Sequence, residues 1–400
     1  MSARAEALAA PPRPRIQRLV AGLGLGVVAA GALVLGADRW TQGALFAIGG
    51  LLGVTLYHAA FGFTSAYRNA IMHRDVSGVV AQIAMLALAM LLFAPILANG
   101  QVLGRGVVGA VAPVGAQVAV GSFLFGLGMQ LGGGCGSGTL FTVGGGSARM
   151  VVTLLAFIAG AFWGSLDLGF WALAPRWRAV SLGVELGWPL AIALQLGLLA
   201  AVWLGLRRWA GSAPQRPLWP VLPNARQLLG GGWPLLFGAA MLALLNVATL
   251  AIAGHPWTIT WAFTLWGAKA AAALGWDPAT SAFWSGGFPG RALGRGILDD
   301  TTSIMDIGII LGAFVAAGLA GKFAPGFRIP IRSLVAAAVG GLLMGYGARL
   351  AYGCNIGAFF SGVASTSLHA WLWIVCALAG TWLGIRLRPL FGLDNAPGPA

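Results

Sequence analysis

The sequence predicts an all-α integral membrane protein with about a dozen transmembrane and re-entrant helices in two pseudo-symmetric repeats. Composition and internal similarity support this fold class. Of 400 residues, 58% are hydrophobic and only 8% are charged, whereas soluble domains are about 25% charged. Several uncharged segments reach the roughly 20 residues that cross about 30 Å of hydrocarbon. They are Leu19–Ala37, Val76–Gly104, Gly106–Ala148, Gln227–Ala268 and Leu350–Ile385.

The N-terminal segment, residues 1–18, is a polar arm rich in arginine. The apolar run that follows is long enough to span a bilayer, so we expect it to stay as a helix rather than to be cleaved as a signal peptide. We expect a multi-pass protein of the bacterial inner membrane with both termini in the cytoplasm. Four basic clusters predict the cytoplasmic segments: Arg4/Arg13/Arg15/Arg18, Arg207/Arg208/Arg216/Arg226, Lys322/Arg328/Arg332 and Arg386/Arg388.

The chain carries 24 Lys and Arg against 10 Asp and Glu, a net charge of +14. In a membrane protein this excess follows the positive-inside rule and meets anionic lipid head groups. A smaller share of it would attract an anionic substrate, and no nucleic-acid role is predicted. The histidines lack metal-ligand spacing, and no cofactor motif is present, so we predict neither a metal nor a cofactor.

A polar segment rich in proline and arginine divides the chain into two nearly equal halves. The predicted organisation is an arm (1–18), a first membrane repeat (19–206), a linker (207–226), a second membrane repeat (227–390) and a tail (391–400).

The two halves share a glycine-rich motif. Phe125–Phe141 reads FGLGMQLGGGCGSGTLF, and Met344–Phe360 reads MGYGARLAYGCNIGAFF. The identical pairs are Gly126 and Gly345, Gly128 and Gly347, Leu131 and Leu350, Gly134 and Gly353, Cys135 and Cys354, Gly138 and Gly357, and Phe141 and Phe360. Many transporters are built from such repeats, with the substrate near the midplane where broken helices meet. The sequence leaves parallel and inverted repeats open.

Each motif predicts a break in a helix, because each glycine in a helix interior costs about 1 kcal/mol. Broken backbone in lipid leaves unsatisfied polar groups, so both breaks must lie inside the protein. Exposed N–H groups and adjacent helix N-termini favour an anion there. The predicted substrate path comprises Cys135, Cys354, Gly134, Gly136, Gly353, Asn355 and Arg349.

Other interpretations of these residues remain. Glycine clusters allow close helix packing, and a buried cysteine often serves as a small apolar side chain; we assign that packing role to Cys376. Arg349 would draw the anion toward the second motif, or it would be an interfacial anchor or the partner of an acid such as Asp306. A structural disulfide framework is not expected from three cysteines without CxxC spacing.

Three elements of the sequence resemble the YeeE/YedE family of sulfur-transport membrane proteins over nearly the whole chain. They are FGLGMQLGGGCGSG, GYGARLAYGCNIGAFFSG followed by SLHAW, and FGFTSAYRN. The resemblance implies that thiosulfate passes through a narrow path and that conserved cysteines hand on its terminal sulfur, with Cys135 and Cys354 as relay thiols. The chain departs from the family pattern at Gly62, where the family has cysteine, and at Asn69, where it has aspartate.

The predicted function is therefore that of a permease for a small sulfur-containing anion, and the leading candidate substrate is thiosulfate. We do not expect an enzyme. The alternatives are another sulfur or selenium oxyanion, a membrane thiol-redox or sulfurtransferase protein, and an assembly subunit that needs neither thiol. The expected partners are the anion, membrane lipids and a cytoplasmic sulfurtransferase that acts after uptake.

Overall fold

The structure is a computed structural model, and it describes residues 16–219 and 221–395. Residues 1–15 of the predicted arm and the second half of the predicted tail therefore lie outside the described residues. The helices are α1 (Arg18–Asp38), α2 (Trp40–His58), α3 (Phe63–His73), α4 (Ser77–Asn99), α5 (Ala116–Gly132), α6 (Gly136–Gly144), α7 (Ala148–Leu166), α8 (Leu168–Trp171), α9 (Leu182–Leu186), α10 (Trp188–Ala210), α11 (Ala225–Gly230), α12 (Leu235–Ala253), α13 (Thr260–Ala273), α14 (Gly287–Leu293), α15 (Thr301–Leu319), α16 (Ile331–Leu350), α17 (Ser361–Ala364) and α18 (Leu368–Leu387).

Among the described residues, sheet is confined to two short antiparallel pairs. Strands β1 (Gln101–Val102) and β2 (Arg105–Gly106) form a hairpin, and β3 (Pro113–Gly115) pairs with β4 (Arg176–Ala179). Helices dominate because the uncharged apolar runs satisfy their own backbone hydrogen bonds only as helices once they are removed from water. In the part of the chain that the structure describes, ten segments are long and apolar enough to cross a membrane. The all-α membrane fold is confirmed.

Two helices that contain the glycine motifs pack against each other at the centre of the molecule. Gly121 on α5 lies against Gly347 on α16, and Gly128 lies against Gly340. Residue numbers rise along α5 while they fall along α16, so the two helices are antiparallel. If they are equivalent members of two repeats, as the sequence predicts, this packing requires inverted rather than parallel repeats.

Each central helix has a second close neighbour from the other half of the chain. Helix α18 runs along α5, and α7 runs along α16. Gly126 on α5 meets the backbone of Ala377 so closely that an added Cβ would overlap its carbonyl oxygen. Small residues allow such approaches between helices in membranes, where packing rather than hydrophobicity holds helices together.

The loops gather at two opposite ends of the helix bundle. At one, which we call the linker end, His73 contacts Asn395, and Gln17 donates to the carbonyl of Phe323 at 2.9 Å. The basic clusters within the described residues lie at this end. At the other, which we call the hairpin end, Arg39 pairs with Asp299 at 3.2 Å. The linker's irregular segment lies between α10, which continues to Ala210, and α11, which begins at Ala225.

Candidate functional site

The first glycine motif forms a break between α5 and α6. Helix α5 ends at Gly132, and Gly133 follows with a φ of +92°, a conformation that glycine adopts without strain. Cys135 is extended and directly precedes α6. Its side chain is 1% exposed, and its Sγ lies 3.4 Å from Oγ of Ser137. The predicted helix break at this motif is confirmed.

The second motif breaks the chain after α16 in a similar way. Gly353 has a φ of +148°, and the extended residue Cys354 then precedes a π-helical turn over Asn355–Phe360. The Cys354 side chain is fully buried, and its Sγ accepts a hydrogen bond from the N–H of Ile356 at 3.4 Å. The predicted break at this motif and its interior position are also confirmed.

The two breaks meet inside the bundle. A Cβ added to Gly136 would lie 3.1 Å from Sγ of Cys354, so the second thiol lies against the residue that follows Cys135. The extended segment before α13 packs between the breaks, with Ile259 beside Gly136 and Thr258 beside Gly357. Two free thiols from opposite halves of the sequence are thus brought to one place.

Four buried polar side chains surround this meeting point: Tyr67, Trp257, Asp306 and Asn355, which we call the central polar cluster. Within the described residues, the hydroxyl, the indole N–H, both carboxylate oxygens and both amide atoms lack hydrogen-bond partners. Tyr67 lies beside Asn355 and within electrostatic range of Cys135, and Asp306 lies within electrostatic range of Cys354. Burying a polar group without a partner costs free energy, so such a cluster marks a place for a ligand or water.

The backbone around Trp257 is held by a short hydrogen-bond network. The N–H of Trp257 donates to Oδ1 of Asn246 at 2.8 Å, and Oγ of Ser361 donates to the Trp257 carbonyl at 2.8 Å. Trp257 lies near a helix end, where tryptophans of membrane proteins are often interfacial, but its side chain is fully buried. Sequence position alone does not distinguish a helix end in the interior from one at the membrane surface.

Two arginines bind the carboxyl end of α5 just before the first break. Arg149 donates to the carbonyls of Leu131 and Gly132, both at 2.7 Å. Arg388 donates to the carbonyl of Gln130 at 2.7 Å. The end of a helix carries a partial negative charge, which these guanidinium groups offset. They also place positive charge close to the first thiol.

The predicted path residues are not all at this meeting point. Cys135, Gly134, Gly136, Gly353, Cys354 and Asn355 belong to the two breaks. Arg349 lies instead on the side of α16 that faces Gly164 on α7, with its guanidinium 4.7 Å from the ring centre of Phe283. The alternative ion pair between Arg349 and Asp306 is not formed among the described residues, so that hypothesis is wrong.

Sequence reasoning missed Tyr67 and Arg388 and gave Asp306 no role of its own. Tyr67 follows Gly62, the position at which the family pattern has a cysteine, by five residues. Gly62 itself directly precedes α3 and lines a small cavity of about 30 Å³ together with Asn69. A signal for Asp306 was present, because an acid in an otherwise uncharged transmembrane helix is costly and seldom without function.

A family model described as Sulphur transport matches residues 58–383. The chain belongs to this YeeE/YedE family. Family membership and the ten apolar segments of the described part make it a multi-pass membrane transporter of a sulfur-containing anion, not an enzyme.

Individual relatives agree with this assignment. Thiosulfate transporter TsuA of Spirochaeta thermophila is 28% identical over 357 residues, which cover 84% of this chain and 95% of that protein. Thiosulfate transporter TsuA of Escherichia coli is 23% identical over 300 residues, 68% of this chain and 74% of that protein. Probable transporter YedE of Escherichia coli is 34% identical over 169 residues, 40% of each chain. These bacterial sources agree with the predicted inner-membrane location.

Proposed function

We propose that this protein moves thiosulfate across the bacterial inner membrane through the place where the two breaks meet. The observation that carries the proposal is the pair of buried thiols, Cys135 and Cys354, beside the unsatisfied donors of the central polar cluster. The name of the TsuA relatives, which are similar to this chain over most of its length, supports the same substrate.

The chemistry of these groups suits thiosulfate. Its terminal sulfur is soft and polarisable, and thiol S–H groups are soft, weak donors. The Tyr67 hydroxyl, the Trp257 indole and the Asn355 amide are oriented by the fold and are available to the three oxygens. The N-terminus of α6, which begins directly after Cys135, adds backbone N–H groups and a positive partial charge. Weak thiol donors let the anion leave as well as bind, as a transport path requires.

One observation favours a second candidate substrate. Gly62 takes the place of the third cysteine of the family pattern, so the thiol relay here has two members. A shorter relay fits an oxyanion that depends less on soft sulfur donors, such as another sulfur oxyanion or a selenium oxyanion. The competitors in the experiment below separate these substrates from thiosulfate.

The proposed partners other than the anion are lipids and a cytoplasmic sulfurtransferase. Exposed leucines on α1 and α10, including Leu19, Leu33 and Leu194, suit contact with lipid tails. Because the basic clusters within the described residues lie at the linker end, we assign this end to the cytoplasm, where a sulfurtransferase would consume the anion.

The test is uptake of radiolabelled thiosulfate by cells that lack their own sulfur-anion uptake. Either Cys135→Ala or Cys354→Ala should lower uptake at least tenfold, about 1.4 kcal/mol of lost binding in the path. Cys376→Ala is the matched control, because Cys376 lies on α18 away from both breaks, and it should match wild type.

Unlabelled sulfate should compete poorly with thiosulfate, because sulfate offers no soft sulfur. Sulfite and selenite test the second candidate. The thiosulfate proposal fails if well-expressed wild-type protein does not take up thiosulfate. The role of the thiols fails if both alanine variants transport like Cys376→Ala.

A further inference from the structure

We propose that the anion crosses together with a proton, and that the carboxyl group of Asp306 holds this proton where the two breaks meet. The inference rests on the proposed function and adds a driving force to it. An inward pH gradient would then favour the entry of thiosulfate.

The position of Asp306 follows from the face of α15 on which it lies. Asp306, Ile310 and Ala313 share one helix face, because residues three or four apart are neighbours on a helix. Gly144 on α6 packs against Ile310 and Ala313. Asp306 is one turn further toward the start of α15, in the direction of the first break.

Helix α13 also packs against α15, close to Asp306. Ser303, one turn before Asp306, accepts a hydrogen bond from Nε1 of Trp266 at 2.9 Å. Ile259, just before α13, lies beside Gly136 at the start of α6. The Asp306 side chain is fully buried, on a helix that packs against α2, α6 and α13, and it lies within electrostatic range of Cys354 at the second break.

The surroundings of Asp306 favour the neutral acid. Neither carboxylate oxygen has a donor within residues 16–219 and 221–395. A carboxylate that is buried in a membrane protein without a donor or a cation costs several kcal/mol. As the neutral acid, Asp306 has an O–H group that it can donate to an anion.

The elements packed against α15 and the second break carry several charged and titratable groups, of which His58, whose ring also lacks a hydrogen-bond partner among the described residues, lies against Gly231 at the linker end. These groups are Arg18 and Asp38 on α1, Arg39, Tyr57 and His58 around α2, Cys135 before α6, Arg226 on α11, Lys269 on α13, Asp299 and Asp300 before α15, and Cys354 at the second break. Lys269 donates to the carbonyls of Leu293 and Arg295. Asp300 accepts from Trp261 at 2.9 Å and from Ser303.

The charge of the substrate gives this acid its function. Thiosulfate carries two negative charges, and the arginines nearest the breaks are occupied by the carbonyls of Gln130, Leu131 and Gly132. A dianion that passes a carboxylate would be repelled, whereas one that accepts a hydrogen bond from the neutral acid is stabilised. If the proton travels with the anion, the net charge moved falls from −2 to −1. As the anion leaves, Asp306 would release its proton to water on the exit side, and it would then be reprotonated from the side of entry.

The experiment uses the full chain in proteoliposomes with an internal pH dye, with the membrane potential held at zero. For wild type, external thiosulfate should acidify the lumen. An inward gradient of one pH unit should raise thiosulfate accumulation about tenfold, because one proton per anion contributes about 1.4 kcal/mol per pH unit.

Asp306→Asn keeps the size of the side chain but cannot release a proton. It should exchange labelled thiosulfate across the membrane without acidifying the lumen and without responding to the pH gradient. Asp306→Glu should restore acidification. Asp277→Asn is the matched control at the hairpin end, and it should behave as wild type.

The inference is overturned if wild type transports thiosulfate without moving protons, or if Asp306→Asn still acidifies the lumen. Either result leaves the proposed function intact, because thiosulfate exchange is measured separately. Absence of thiosulfate exchange by wild type overturns the proposed function and this inference together. Loss of folding in Asp306→Asn leaves the wild-type acidification and the Asp306→Glu variant as the deciding measurements.

Discussion

The two breaks share a sequence pattern but differ in what stabilises them. At the first, two charged guanidinium groups, Arg149 and Arg388, bind the carbonyls at the end of α5. At the second, neutral donors take that role: Gln117 donates to the carbonyl of Leu350 at 3.0 Å, and the indole of Trp373 donates to that of Gly353 at 3.3 Å. Similar backbone geometry therefore occurs in two different electrostatic environments.

The thiols also differ in their partners. Cys135 contacts the side chain of Ser137, whereas Cys354 accepts from a backbone N–H group. The acid Asp306 and the amide Asn355 lie on the side of the second thiol. An anion between the breaks would thus have positive charge behind one thiol and neutral donors around the other. The two ends of the proposed path would therefore differ in charge.

The largest expected effect is a loss of thermal stability, and it comes from adding a methyl group to the positive-φ glycine of each break. In Gly353→Ala the new Cβ lies 2.8 Å from the backbone nitrogen of Ala358, which cannot move without disturbing the π-helical turn. In Gly133→Ala it meets only the end of the Arg149 side chain. Each variant also places an alanine at a positive φ that L-residues rarely adopt, at a cost on the order of 1–3 kcal/mol.

Gly353→Ala should therefore lower the thermal unfolding temperature in detergent, measured by size-exclusion chromatography of heated samples, more than Gly133→Ala does. Equal or reversed losses would mean that the second break is the more adaptable of the two.

An intermediate effect on stability and uptake is expected when the charged donor Arg388 of the first break is compared with the neutral donor Gln117 of the second. Arg388→Gln removes charged hydrogen bonds, each worth about 1.5–3 kcal/mol, to Gln130 and to the C-terminal residues Asp394 and Asn395, whereas Gln117→Ala removes a neutral one worth about 0.5–1.5 kcal/mol. Arg388→Gln should also slow uptake at low thiosulfate concentration, by about tenfold at low salt, because it removes positive charge near the path.

Initial uptake rates at two salt concentrations measure this effect, with Arg207→Gln, an exposed change on α10, as the control. Uptake by Arg388→Gln that equals the control would show that the arginine serves only to hold α5.

The smallest expected effect is on uptake, and it comes from removing the contact between Ser137 and Cys135. Ser137→Ala removes one weak side-chain contact to Sγ, and a net loss of about 0.5 kcal/mol corresponds to about a twofold lower uptake. Competition between labelled and unlabelled thiosulfate gives the apparent affinity. A loss of uptake as large as that of Cys135→Ala would mean that Ser137 binds the anion directly and does not act only through the thiol of Cys135.

Much of the fold was predictable because lipid leaves the backbone few choices. Long uncharged runs must form helices, and glycine clusters within them must break those helices in the protein interior. For this reason the breaks at Cys135 and Cys354 could be located from the sequence. The matched motifs also indicated that the two thiols belong together, although sequence similarity alone does not bring residues into contact.

The sequence by itself determined the membrane fold, the two helix breaks and the chemistry of their thiols, because these follow from local composition and from the solvent. Only the tertiary structure decided which side chains from distant helices meet them. Tyr67, Trp257 and Asp306 come from α3, from the segment before α13 and from α15. Arg349, close to Cys354 in sequence, faces Phe283 instead. These contacts depend on the direction in which each side chain leaves its helix and on how the helices pack against one another, and neither can be read from spacing along the chain.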